Sequence, residues 1–222
     1  MNRSSPPRVL LASGSPRRSE LLALTGWPFE AVAADVDERL LSGVAAADQV
    51  ARLAGDKALA ARHVAGEGQV VVAADTLVVL EEQVLGKPKD GVEARRMLQQ
   101  LRGRTHRVVT GLAVMAPGSA QIIMERCDSS VPMRGYTQAE IDRYLERGSP
   151  LDKAGAYAIQ DTGFAPVERQ SFRDCFANVM GLPLCHLTRA VRALDMTPPV
   201  DVPAACQEHL GYECPVYKEI LN

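Results

Sequence analysis

Along the chain, short continuous apolar runs alternate with apolar positions at helical spacing, and turn residues separate them. Val9, Leu10 and Leu11 within residues 8–12 read as a buried strand, and Ser13, Gly14 and Ser15 follow as turn residues. Pro16 suits a first helical position, Ser15 is a candidate cap, and Leu21, Leu22 and Leu24 supply an apolar face, so residues 16–25 are predicted to be helical. "WPFEAVAADVDE" (27–38) reads as a second strand running into an acidic turn. Val50, Leu53, Ala54, Ala58 and Ala61 share one stripe of a helix over 46–63. "QVVVAADTLVVL" is a β-rich run, "VLGKPKD" a short strand ending in a loop, and 91–102 a helix stopped by Gly103.

Further on, "HRVVTGLAVMAP" and "QIIMERCDSSVPMR" are two strands joined by a Pro-Gly-Ser turn, which predicts a hairpin. "TQAEIDRYLERG" opens with Thr137 and Glu140 at capping-box spacing and closes at Gly148. "LDKAGAYAIQ" leads into a loop and a strand, and "LPLCHLTRAVRAL" reads as the final helix. The proline-rich "TPPVDVP" then introduces a tail. No internal repeat or low-complexity linker divides the chain. The pattern predicts one mixed α/β domain over residues 1–196 and a C-terminal tail over 197–222, expected to be dispensable for activity.

Composition narrows the partners more than the fold. A net charge of −2 gives no electrostatic footprint for nucleic acid or an acidic membrane surface. With only 5% aromatic residues there is little material for base-stacking platforms either. The four-residue apolar stretch near the N-terminus falls far short of a signal peptide, and the apolar run at 70–80 contains Asp75 and is too short for a bilayer. The cytosol is therefore the expected compartment, and the five cysteines, none in a CxxC pair, read as free thiols. Cys206, His209 and Cys214 form a C-x2-H-x4-C cluster, but three ligands without a fourth make a weak metal match.

Several polar residues interrupt the apolar pattern. Asp75 stands within a β run; it either caps a turn at a strand end or faces inward, where an unpaired carboxylate is costly without a cation or donors. Lys57 occupies a place on the 50–61 stripe where an apolar residue is expected, and either snorkels from the helix edge or points a cation into a site. Arg17 and Arg18 sit in a first helical turn, where the helix dipole disfavours cations by roughly 0.3–1 kcal/mol each. They are solvated surface charges, or they join the free N–H groups in an anion site suited to phosphate. Neither G-x-x-x-x-G-K-[ST] nor G-x-G-x-x-G occurs, which excludes the common phosphate loops. Glu38, Lys87, Lys153 and Gln160 are ordinary surface residues singly, and interesting only if they converge.

Read in order, "LLASGSPRRSELL", "DVDE", "GDKA", "AADTLVVL", "LGKP", "LDKAGAYAIQ" and "NVMGLPL" resemble the motifs of the Maf family of nucleoside triphosphate pyrophosphatases, over about residues 8–195. The resemblance implies hydrolysis of a nucleoside triphosphate to the monophosphate and pyrophosphate, with a divalent cation, Mg²⁺ or Mn²⁺. It also implies an elongated mixed β-sheet flanked by helices, two lobes around a cleft, similar to the inosine-triphosphate pyrophosphatases and often a homodimer. Asp75 matches the catalytic base and a metal position. Ser13, Arg18, Lys57 and Lys87 match phosphate-binding positions, and Glu38 a metal position. Arg17, Thr76 and Gln160 match the positions that separate a dTTP/UTP branch from one acting on 7-methyl-GTP. The chain departs from the pattern at "RDCFANVMGLPL" and in the tail. The competing expectations are a 7-methyl-GTP enzyme and a nucleotide-binding cell-division regulator with incidental hydrolysis; keeping both Asp75 and Glu38 beside the cations favours an enzyme.

Overall fold

In a computed structural model, which describes residues 7–119, 121–147 and 150–222, a six-stranded mixed sheet organises the chain. Its order is β2 (Phe29–Val32), β1 (Arg8–Ala12), β3 (Gln69–Leu80), β5 (Thr105–Met115) and β6 (Ile122–Pro132), with β4 (Gln83–Leu85) on the far end of β3. β1 runs parallel to β2 and β3, whereas β3 with β5 and β5 with β6 are antiparallel. The expected hairpin is present, with Met115 opposite Ile122.

Strand β3 is apolar on both faces because both are covered. Even-numbered Val70, Val72, Ala74, Val78 and Leu80 join the main core, which includes α3 (Gly91–Leu101) and α6 (Leu184–Arg192). Odd-numbered Val71 and Ala73, then Leu77 and Val79, face α2 (Ala46–Ala61) in two smaller clusters. Asp75 falls between those two clusters. Opposite it in register is Gly111 on β5, where an added Cβ would lie 2.4 Å from the Val50 carbonyl oxygen. That missing side chain lets the backbone of α2 rest directly on the sheet beside Asp75.

Several boundaries differ from the sequence pattern. The second strand is only Phe29–Val32, and the segment to Glu38 is irregular. The first helix is α1 (Pro16–Ala23); Ser15 holds the cap position without a side-chain bond, and its backbone N–H donates to Ser13 Oγ at 3.2 Å. The helix opened by Thr137 is α4 (Gln138–Glu146), with the capping box formed; its expected end at Gly148 lies outside the described residues. The strand expected after "LDKAGAYAIQ" does not form among the described residues; only an isolated bridge, Val167 opposite Met133, lies there. The segment itself forms a single 3₁₀ turn at Ala154–Ala156, with Gly155 at φ 70° and Ala156 at φ 61°. The sequence also hid α5 (Phe176–Met180), which is too short to show a period.

"LPLCHLTRAVRAL" is not the last helix. The tail adds α7 (Val202–Leu210), capped by Asp201, and α8 (Tyr217–Leu221). Val202 is buried, and the Tyr212 ring packs on Phe172 and Phe176 at centroid distances of 5.4 and 5.5 Å. The tail is thus docked on the main core. His209 bonds Glu20 at 2.7 Å, while Cys206 and Cys214 line a separate small apolar cavity with Cys175 and Cys185. Among the described residues no three His, Cys, Asp or Glu side chains form a ready-made metal cage. No helix of the described residues is long and apolar enough to cross a membrane.

Candidate active site

Strand β1 pairs with β3 only as far as Leu11 opposite Val72, and β4 pairs with β3 from Val78 onward. Between them one edge of β3 at Asp75–Leu77 is open, and a cleft of about 770 Å³ lies there. It sits at the carboxyl end of β1, where open α/β sheets commonly place ligands. The nine residues that the family resemblance assigns to a site all line it, Ser13, Arg17, Arg18, Glu38, Lys57, Asp75, Thr76, Lys87 and Gln160, and Lys153 joins them.

At its centre are three charges. Lys57 Nζ donates to Asp75 Oδ1 at 2.7 Å and meets Glu38 Oε1 at 2.6 Å. Lys57 and Asp75 expose only 8% and 11% of their side chains, so neither is a snorkelling or strand-end residue. Their mutual attraction is what makes the burial of each tolerable. Glu38 is held from the other side by a loop that α2 organises. The buried Gln49 amide accepts from Leu41 N and donates to Leu41 O, and Arg52 donates to the Arg39 carbonyl. The Lys57 hydrogen bond keeps the Glu38 carboxyl below its ordinary pKa, with Lys87 and Arg18 adding to it.

The two arginines of α1 diverge. Arg18 turns inward and donates from Nε to Gly181 O at 2.9 Å, from Nη1 to Ser13 Oγ at 3.2 Å and from Nη2 to Thr76 Oγ1 at 3.1 Å. Thr76 Oγ1 is in turn 2.9 Å from the fully buried Thr110 hydroxyl. Burial pushes the Arg18 pKa down while Asp75 raises it, and a guanidinium stays charged under such pulls. Each of its nitrogens is pinned, so its remaining N–H bonds have a fixed aim. Arg17 stays nearer the surface and pairs with Asp152 at 3.2 Å.

The loop after residue 150 forms the opposite wall. Gly155 N donates to Gly86 O at 3.1 Å, which ties this loop to the one carrying exposed Lys87. Tyr157 OH lies 2.7 Å from His106 Nε2 on β5, both side chains buried. Burial pushes the His106 pKa down to about 4 and raises that of Tyr157. Asp152 bonds Lys153 as well as Arg17, and half-buried Gln160 closes the row.

Sequence reasoning missed Asp152, Thr110 and the Gly181 carbonyl. Thr110 left a trace, a hydroxyl inside an otherwise apolar strand. Asp152 left none beyond its place beside Lys153.

As a unit the cleft can bind a polyanion, through fixed arginine and lysine donors, next to a buried carboxylate. Residues 8–194 match the family described as Maf-like protein. A protein of Geotalea uraniireducens (strain Rf4) named dTTP/UTP pyrophosphatase is 45% identical over 186 residues, covering 84% of this chain and 94% of the relative. One of the same name from Anaeromyxobacter dehalogenans (strain 2CP-C) is 45% identical over 199 residues, with coverage of 89% and 99%. Among solved structures, the nucleoside-triphosphatase / dITP/XTP pyrophosphatase of Mycobacterium abscessus aligns at 18% identity and a TM-score of 0.42, covering 84% of this chain and 94% of that one.

Proposed function

The chain belongs to the Maf-like family, and from that premise we propose that it hydrolyses dTTP and UTP to the monophosphate and pyrophosphate. The observation that carries the reading is the buried Asp75–Lys57 pair in one cleft with Ser13 and the pinned Arg18. A base-type carboxylate and a phosphate-type donor set converge there on one volume.

Each residue then has a part. Ser13, Arg18 and Lys87 bind and orient the triphosphate, which places its α–β anhydride beside Asp75. Asp75 takes the proton of the attacking water as the bond between the α and β phosphates breaks, and pyrophosphate leaves. Thr110 fixes the Thr76 hydroxyl, and Thr76, with the Gly181 carbonyl, fixes Arg18. Preformed aim of this kind supplies most of the rate in phosphoryl transfer, because reorganisation is avoided at the moment of reaction.

The residues also fit a divalent cation. Glu38 and Asp75 present two carboxylates around one point, and Mg²⁺ or Mn²⁺ commonly takes one or two carboxylates with the remaining positions filled by substrate phosphates and water. Such a cation, when bound, supplies neutralisation of charge developing on the phosphates.

Arg17, Thr76 and Gln160 are assigned to the base. A glutamine amide accepts from a pyrimidine N3–H and donates to O4, the edge that uracil and thymine share. Their difference is one methyl group, worth about 1–3 kcal/mol in a pocket, so dTTP and UTP differ modestly. The positive charge of 7-methylguanine is repelled by Arg17. CTP falls between, because the amide flips to suit its reversed donor and acceptor. Measured kcat/KM values are expected to rank dTTP and UTP first and 7-methyl-GTP last; 7-methyl-GTP above both sinks the assignment of these three residues.

A further inference from the structure

Lys57 does more here than a phosphate-binding residue needs to. Its ammonium stands between the two carboxylates that would hold a divalent cation, 2.7 Å from Asp75 Oδ1 and 2.6 Å from Glu38 Oε1. It is therefore at the point where a bridging ion would have to be. A cation entering the protein alone must displace this buried ammonium and leave it without a carboxylate partner, in a cleft that already repels it. Five cationic side chains line that cleft against three carboxylates, so its own field opposes a dication. No third carboxylate, histidine or cysteine among the described residues joins Glu38 and Asp75 to offset this. A nucleoside triphosphate reverses every term: it brings several negative charges, supplies the missing oxygen ligands, and offers the displaced ammonium new partners.

We propose that Lys57 is the resident counter-ion of Glu38 and Asp75. It keeps a divalent ion out of the free protein and exchanges with one that arrives together with the nucleotide, as its ammonium passes from the carboxylates to the phosphates. The species recognised is then the metal–nucleotide complex, and the protein without nucleotide holds no tight metal. The same ion pair holds the Asp75 carboxylate aimed while the cleft waits. This inference rests on the assignment of the cleft to triphosphate hydrolysis, and it adds an order of events.

The test uses Mn²⁺ as the probe, followed by electron paramagnetic resonance at one fixed pH. The full-length protein alone is expected to bind Mn²⁺ at least about tenfold more weakly than the protein with a dTTP analogue whose α–β bridge cannot be hydrolysed, a modest figure for adding several charges in a partly dry cleft. Affinity of the analogue for Mn²⁺ in the absence of protein is subtracted. Lys57→Met, without nucleotide, is expected to tighten Mn²⁺ at least about tenfold over the wild type. Lys57→Arg, which keeps a cation at the carboxylates, is expected to stay weak. Tight one-to-one Mn²⁺ binding by the nucleotide-free wild type overturns the proposal, as does equal affinity in wild type and Lys57→Met. If Lys57→Met does not fold, the comparison with and without analogue decides alone. None of these readings needs turnover, so failure of the exchange is distinct from failure of the pyrophosphatase reading, which shows in the products.

Discussion

Asp75 is a carboxylate with 11% of its side chain exposed and an ammonium 2.7 Å away. Asp75→Asn keeps its size and most of its hydrogen bonding while removing the charge. A fall in kcat of at least about 10²-fold with the fold intact is expected, the usual scale for a positioned base. A kcat within about threefold of wild type, by steady-state assay, removes Asp75 from that role. His106 makes the second prediction at this scale. Burial holds its folded pKa at about 4, below the roughly 6.5 of an unfolded chain. Between those values the unfolded chain binds a proton that the folded chain does not, so stability falls as pH drops through that window and levels off below it. The loss is of order 3 kcal/mol. His106→Gln, which keeps a partner for Tyr157, is expected to flatten this limb of the urea midpoint against pH; parallel curves count against it. Single residues were legible where charge broke an apolar period, as at Lys57 and Asp75. Thr110, Asp152 and the Gly181 carbonyl were not, because they gain their parts only from partners 34, 135 and 163 positions away.

Elements carry these side chains, and the contact of α2 with the sheet is the critical one. Gly111 permits it: a Cβ there meets the backbone of Val50 and Ala51 at 2.4–2.8 Å, and backbone cannot swing aside. Gly111→Ala is expected to lift α2 and cost about 1–3 kcal/mol, as overpacking does. Because α2 also carries Lys57, kcat/KM is expected to fall in the same variant. Unfolding by urea beside a rate assay checks both; an unchanged midpoint would show that α2 yields freely. Long periodic elements such as α2, β3 and the β5–β6 hairpin were readable from pattern, since their burial imposes the period. The α5 segment and the loop at residues 150–161 were not. One is a single turn, and the other takes its shape from Gly155 in the left-handed region and from bonds to Gly86 and His106, none of which has a period.

At the scale of the molecule, one sheet leaves an open edge at Asp75–Leu77, and two helices (α1 and α2) and the loops at Lys87 and Lys153 bring cations to it. The tail lies outside that cleft, covering Phe172 and Phe176 on the main core. Its docking was not legible, since its apolar residues are spread over two short helices and a turn. Everything proposed for the cleft turns on which phosphate bond is broken. The direct measurement incubates the full-length protein with dTTP and Mg²⁺ and follows the products by phosphorus NMR. Pyrophosphate and dTMP in equal amounts, without orthophosphate, are the predicted result. Stoichiometric dTDP and orthophosphate would contradict it.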